Sequence, residues 1–147
     1  MEFTGLDRQL TKILNLEEGC VFVMEFKKSD KRLEFLYPDE LKGLKIPALS
    51  QCVSGKAVIK KSPIVLNNFQ GEMDVIYLNC LTMNSTNKSI RKMIAYPICL
   101  AGEICAVLVV VRKECDDSDL QNFLGEDLVK IKSVVDRMIF VQLAKTA

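Results

Sequence analysis

The segment from Ile104 to Val111 constrains the fold more than any other, because it reads ICAVLVVV and contains no polar residue. It is far too short to cross a bilayer as a helix, which needs about 20 apolar residues. Its β-branched residues favour a strand, and a strand without a polar position is covered on both faces. The sequence therefore predicts a strand in the middle of a sheet that has a helical layer on each side.

Hairpins account for most of the other predicted strands. Residues 92–100 form the strand before the central segment, and the tight loop 101–103 joins the two. Earlier in the chain, residues 20–26 and 32–37 have strand character on either side of a polar turn. Strands connected in this way pair with their neighbours in an antiparallel sheet.

Helices are predicted at both ends of the chain and between the hairpins. Apolar residues at helical spacing begin at Phe3, and a short helix starts at Pro47 and closes at Ser54-Gly55. Ser118 and Gln121 match a capping box, after which a long helix follows.

The region between the two hairpins is less regular. A strand from Ile64 to Leu66 is followed by residues 69–89, which we interpret as a short helix and a loop. The order of elements predicts one α+β domain over residues 1–147. Its central antiparallel sheet has five or six strands flanked by helices, which is not a doubly wound nucleotide-binding fold.

Composition excludes several classes of function. Histidine is absent from the 147 residues, so the chain lacks the usual near-neutral general base and the imidazole metal ligand. The six cysteines include no C-x-x-C pair, and neither a metal site nor a cofactor is predicted. A net charge of +1 provides no field for nucleic acid or an anionic membrane. Because no signal peptide is recognisable, we expect a cytoplasmic location and reduced cysteines.

Three stretches of the sequence resemble the GAF family. Residues 46–68 resemble the family segment in which a short helix ends at a glycine and leads to a strand, with Gly55, Pro63 and Asn67 at the matching positions. Residues 91–113 resemble the family's signature hairpin, and residues 123–128 resemble the acidic opening of its last helix. The resemblance covers almost the whole chain and implies a fold of the PAS/GAF type with a regulatory role.

The resemblance also bears on ligands. GAF domains that bind cyclic nucleotides carry a scattered Asn, Lys, Phe, Asp, Glu signature after the second hairpin. Lys113 and Glu126 match this signature, but Arg112 and Gly125 stand at the Asn and Asp positions, so the signature is degenerate. Members of the family that bind bilins or haem use a histidine, which this chain lacks.

A catalytic branch of the family, the free methionine sulfoxide reductases, works through cysteines. Cys80 lies roughly where such a cysteine is expected. A reactive thiol needs a neighbour that lowers its pKa, and no such neighbour is identifiable in the sequence. A structural Cys80 is therefore the preferred interpretation.

One set of residues is a candidate for a small-molecule pocket beneath residues 69–89. A filled core is the alternative, because no charged anchor for a ligand is identifiable. The candidates are Met73, Tyr77, Met93 and Tyr96.

A second set is a candidate for an interface on the C-terminal helix. That helix has two apolar strips, of which one can cover the sheet and leave the other to a partner. The alternative is that the N-terminal helix covers the second strip within the same chain. The interface candidates are Ile131, Val135, Met138 and Gln142.

The function we expect from these features is that of a non-catalytic GAF-type module. It mediates dimerisation or binds a partner protein through its terminal helices, within a larger signalling or scaffold protein. The first alternative is a small-molecule sensor with a cyclic nucleotide as ligand. The second is a cysteine-dependent reductase.

Overall fold

The computed structural model describes residues 3–46, 52–68, 71–72, 74–75, 78–79, 89–114 and 121–146, with side chains in the last helix described as far as residue 139. The bounds of the α-helices are α1 (Phe3–Ile13), α2 (Val53–Lys60) and α3 (Gly125–Thr146). The bounds of the strands are β1 (Val21–Lys27), β2 (Arg32–Tyr37), β3 (Lys45–Ile46), β4 (Ile64–Leu66), β5 (Ile90–Leu100) and β6 (Glu103–Lys113).

The six strands form one sheet in the order β3-β2-β1-β6-β5-β4, and neighbouring strands are antiparallel throughout. β6 pairs with β1 on one side and with β5 on the other, and residues 107–111 are all buried. This confirms the α+β architecture and the central position of the apolar segment. Several boundaries differ from the prediction: β5 already starts at Ile90, β6 runs from Glu103 to Lys113, and β1 lies one residue later than expected.

Alternate residues of β6 point to two separate cores. Val107, Val109 and Val111 belong to the core beneath α2, together with large side chains such as Phe22. Leu108 and Val110 belong to the core on the opposite face, beneath α1 and α3. Fully burying a side chain of this size stabilises the fold by about 1.5–3 kcal/mol, so a strand apolar on both faces holds both layers.

The turn between β5 and β6 uses two residues with positive φ. Ala101 has φ 53° and Gly102 has φ 80°, as a two-residue turn requires if it is to follow the twist of the strands. Glycine adopts this conformation without steric cost. The hairpin was predictable from the Gly102 signal, although the loop is one residue shorter than expected.

The start of α2 corrects the sequence prediction. Ser54 and Gly55 lie in the first turn of the helix, which continues to Lys60, so they do not close a helix. Lys61, in the left-handed conformation with φ 55°, is the C-cap. Pro47 lies outside the described residues. The helix begins at Val53 because the carboxylate of Asp74, far along the chain, binds the backbone N–H groups of Val53 and Ser54.

The start of α3 is a second correction. Residues 121–124 are not helical, and the helix begins at Gly125, so Gln121 does not take part in a capping box. Ser118 lies outside the described residues. Asp127 instead accepts a hydrogen bond from the backbone N–H of Leu124, at 2.7 Å. A carboxylate in the first turn satisfies a free N–H group and interacts favourably with the helix dipole.

Side chains from the sheet fix the terminal helices. Arg112 of β6 donates to the carbonyl oxygens of Leu14 (3.0 Å) and Asn15 (3.2 Å), directly after α1. Its guanidinium carbon lies 4.6 Å from the centre of the Phe123 ring, just before α3. The side-chain amide of Asn67 both donates to and accepts from the backbone of Phe123, at 3.0 and 2.8 Å. The ends of α1 and α3 that meet the sheet are therefore held by polar contacts.

Candidate functional site

The predicted pocket residues do not come together as a lining. Met93 is buried in the core beneath α2, whereas Tyr96 is half-buried against the core beneath α1 and α3. Residues three positions apart on a regular strand point to opposite faces, so these two side chains cannot face one cavity. Met73 and Tyr77 lie outside the described residues. Met93 is buried in the core, as the alternative to a pocket predicted.

Asp74 makes the most highly connected polar site beneath the sheet. This fully buried carboxylate accepts hydrogen bonds from the backbone N–H groups of Val53 (3.0 Å), Ser54 (2.9 Å) and Val75 (3.1 Å). The hydroxyl of Ser54 donates a further bond at 3.0 Å. The carboxylate thus binds the N-terminus of α2, where the helix dipole favours negative charge. Its two oxygens are occupied by the fold itself and leave little capacity for a ligand.

Sequence reasoning missed Asp74, because it lies 20 residues after Ser54 at the start of the helix that it caps. No periodicity links two segments so far apart in the chain. The only local signal is an acidic residue within the otherwise apolar stretch from Met73 to Leu78, since burial of a carboxylate requires several donors around it.

Three of the described cysteines are poor nucleophiles. Cys20, Cys52, Cys99 and Cys105 do not form disulfides. Burial raises the pKa of Cys20 to about 11, and burial together with the Asp74 carboxylate raises the pKa of Cys52 to about 12. Burial also raises the pKa of Cys105. These three thiols are therefore protonated at neutral pH, and a protonated thiol does not attack a substrate. Cys80 and Cys115 lie outside the described residues.

The interface candidates on α3 divide between core and edge. Ile131 is 0% exposed and Val135 is 2% exposed, and both belong to the core beneath α1 and α3. Their proposed role in an interface is therefore wrong, because α1 and the sheet cover this strip within the same chain. Met138 is half-buried, and the side chain of Gln142 lies outside the described part of the helix.

The solvent-facing side of α3 is what a partner could contact. We define its outer face by the exposed residues Val129, Lys132, Ser133, Asp136 and Arg137. Val129 is 69% exposed, and Lys132 and Asp136 form an ion pair at 2.6 Å. The interface candidates predicted from the sequence did not include Val129. This residue lies one position after Leu128, so its side chain points away from the core.

Two concave surfaces lie on or beside the α1–α3 side of the sheet. An apolar cleft of about 240 Å³ lies between the start of α1, residues 138–139 of α3 and the sheet; its lining includes Phe3, Val23, Leu36, Ile98, Cys105 and Met138. A polar groove of about 700 Å³ lies between α1 and the ends of β1, β2 and β6; its lining includes Asp7, Arg8, Thr11, Glu18, Gly19, Tyr37 and Lys113. The sequence did not indicate either of them.

Metal and membrane sites were also sought in the described ranges. No group of three or more His, Cys, Asp or Glu residues lies close enough there to hold a metal ion. Within the same ranges, none of the helices combines the length and apolar character needed to cross a membrane.

Comparison with known proteins identifies the fold. No family model matches the sequence, and no curated protein sequence is similar to it. The second GAF domain of DevS from Mycobacterium smegmatis is similar in structure, with a TM-score of 0.66 at 17% identity, over 98% of this chain and 93% of that domain. A GAF domain/HD domain protein from Geobacter sulfurreducens gives a TM-score of 0.65 at 14% identity, over 95% and 88% of the two chains.

A catalytic protein has a similar fold as well. Free methionine-R-sulfoxide reductase from Neisseria meningitidis gives a TM-score of 0.62 at 18% identity, over 90% of this chain and 70% of the reductase. Identities this low show a shared fold and not a shared activity. The comparisons confirm that the chain has the GAF fold expected from its sequence.

Proposed function

We propose, from the GAF fold, that this protein is a non-catalytic regulatory module that associates with a second copy of itself through the outer face of α3. We place it within a larger signalling or scaffold protein. The observation that carries the proposal is the exposure of Val129. An exposed apolar side chain on an otherwise polar helix face gives a helix–helix contact an apolar group to bury, and burial of apolar surface favours association.

The charges around Val129 suit a contact between identical faces. Lys132, Asp136 and Arg137 place both signs of charge on the outer face of α3. In a two-fold dimer the same patch meets itself, so an antiparallel pair of α3 helices brings cations opposite anions. The proposal therefore commits to a homodimer, and a different protein partner is an outcome of its test.

The non-catalytic part of the proposal is supported by the state of the described nucleophiles. Cys20, Cys52 and Cys105 have raised pKa values, and the Asp74 carboxylate is bound by four donors. The reductase alternative would depend on Cys80 or Cys115. Replacing each of these by serine in an assay of free methionine sulfoxide reduction tests that alternative directly.

Two substitutions on α3 test the association. Val129→Glu should abolish dimers and leave a folded monomer, because the new charge is solvated in the monomer and buried in the dimer. Ile131→Glu should instead unfold the domain, because it buries an unpaired charge at a cost of several kcal/mol. Sedimentation equilibrium over a range of concentrations and circular dichroism measure the two effects.

Ile59→Glu is the matched control, since Ile59 is 62% exposed on α2, on the other side of the sheet. This variant should dimerise like the wild type. A wild-type protein that stays monomeric at high concentration would contradict the homodimer and leave only a heterologous partner for this face.

A small-molecule sensor is the second candidate function, because the polar groove has a volume in the range of ligand sites. Its lining contains both hydrogen-bonding side chains and charges of both signs.

A further inference from the structure

The lining of the polar groove includes a buried lysine. Lys113 is the last residue of β6 and is only 4% exposed. Its ammonium nitrogen lies 3.9 Å from the position that a Cβ atom would have at Gly19, which also lines the groove. Gly19 and the Lys113 ammonium are therefore neighbours in the lining of the groove.

Among the residues that the structure describes, Lys113 differs from the other buried polar side chains in its lack of a hydrogen bond or ion pair. The buried polar or charged side chains of the described residues are Ser54, Asp74, Lys113 and Asp127. Ser54 and Asp74 bind each other, and Asp127 accepts a hydrogen bond from Leu124. For Lys113 we find no hydrogen bond or ion pair with any described residue. An ammonium group has three donors and no acceptor, so it requires an anionic or carbonyl oxygen when it leaves bulk water.

A second part of the groove lining, which we call its wall, is a surface of side chains that hydrogen-bond to one another. It consists of the face of α1 that carries Asp7 and Thr11. The Thr11 hydroxyl donates to the Asp7 carboxylate at 2.8 Å, and the Tyr37 hydroxyl donates to its other oxygen. Side chains held in this way lose little conformational entropy when a ligand binds.

We propose that the polar groove binds a small organic acid, whose carboxylate pairs with the Lys113 ammonium and whose polar groups lie along the Asp7–Tyr37 wall. A monoanion balances one ammonium. The groove also presents the carboxylates of Asp7, Glu18 and Glu40, matched in number by Arg8, Lys12 and Lys113, so its lining is neutral overall and does not select a dianion. This inference deepens the sensor candidate and does not depend on association through α3.

The test uses acetate, lactate and inorganic phosphate as probes, each titrated at constant ionic strength. The amide NMR signals of Gly19 and Lys113 report binding. We expect saturable shifts with the two carboxylates, with lactate the tighter because its hydroxyl can reach the wall. Lys113→Met should weaken binding by about ten- to hundred-fold, as loss of a charge-assisted hydrogen bond does. Lys60→Met, at an exposed lysine of α2, is the matched control and should bind like the wild type.

Stability without any probe gives a second readout. Since an unpaired buried charge opposes folding, Lys113→Met should leave the melting temperature unchanged or raise it. Lys113→Gln serves the same purpose if the methionine variant is insoluble. A large fall in melting temperature for both variants would show that the fold itself satisfies the ammonium and would overturn the proposal.

Three binding results would also overturn it. These are the absence of saturable shifts with any probe, shifts that persist in Lys113→Met, and binding of phosphate without binding of carboxylates. Sedimentation of the same samples separates this result from that of the dimer, because Lys113 is buried in the monomer and is not part of the outer face of α3.

Discussion

Asp74 is a single residue on which a whole helix depends. Asp74→Ala should lower the free energy of unfolding by about 3–5 kcal/mol, because it leaves three donors at the buried start of α2 and the N–H of Val75 without an acceptor. Denaturant titration followed by circular dichroism measures the change. Asp136→Ala, which removes an exposed ion pair within α3, should cost no more than about 0.5 kcal/mol. Equal losses in the two variants would contradict the role given to Asp74.

Single residues are also where sequence reasoning was least successful. The pairing of Met93 with Tyr96 as pocket residues overlooked the alternation of a strand, which was already implied by the prediction that residues 92–100 are extended. The position of Asp74 could not be inferred, because its partners are 20 residues away. Lys113 was noted as a match to a family signature. The neighbouring sequence does not show that its ammonium lacks a hydrogen bond or ion pair with the described residues.

Elements were predicted more accurately than residues. The bounds of β2 and β4 agree with those expected, and both hairpins and the central position of β6 are confirmed. These elements depend on local patterns, namely strict apolar runs and a turn at Gly102. The close predicted for a helix at Ser54-Gly55 and the predicted start of α3 were wrong because tertiary contacts determine both places: Asp74 binds the start of α2, and Asn67 holds the residues before α3.

Arg112 joins three elements, and its replacement should loosen the two terminal helices together. Arg112→Met removes the bonds to Leu14 and Asn15 and the stacking on Phe123. We expect a loss of about 1–3 kcal/mol and faster hydrogen exchange in α1 and at the start of α3, with less change in α2. Exchange measured by mass spectrometry resolves these segments. Arg91→Met, which breaks an exposed ion pair with Glu114, is the control and should leave exchange in α1 unaltered.

The molecule as a whole should lose stability in alkaline solution. The pKa is raised to about 11 for Cys20 and about 12 for Cys52, from an ordinary value of 9.0. Burial and the bond to Asp7 raise the pKa of Tyr37 to about 12 from 10.0. Below pH 9 these groups are protonated in both states. Above it the unfolded chain loses protons first, so the free energy of unfolding falls as pH rises towards about 12.

Denaturant titrations between neutral pH and pH 10.5, with a reducing agent present, measure this fall. For each buried thiol the slope should reach about 1 kcal/mol per pH unit. Cys52→Ala should have a shallower slope than the wild type, whereas Cys99→Ala, which removes an exposed thiol, is the matched control. A slope that is the same in Cys52→Ala and in the wild type would contradict the raised pKa of Cys52.

The two ends of the strand order affect how the protein behaves at high concentration. β3 has two residues and β4 has three, so each edge of the sheet offers only a few free backbone N–H and C=O groups. Long open edges are templates on which strands of other molecules add, and short ones are poor templates. β6 lies between β1 and β5, and Pro97, which has no backbone N–H, lies on the part of β5 that β4 does not pair with. Native molecules should therefore stay free of amyloid-like fibres, and fibres should grow only from conditions that first release β5 and β6 from their neighbours.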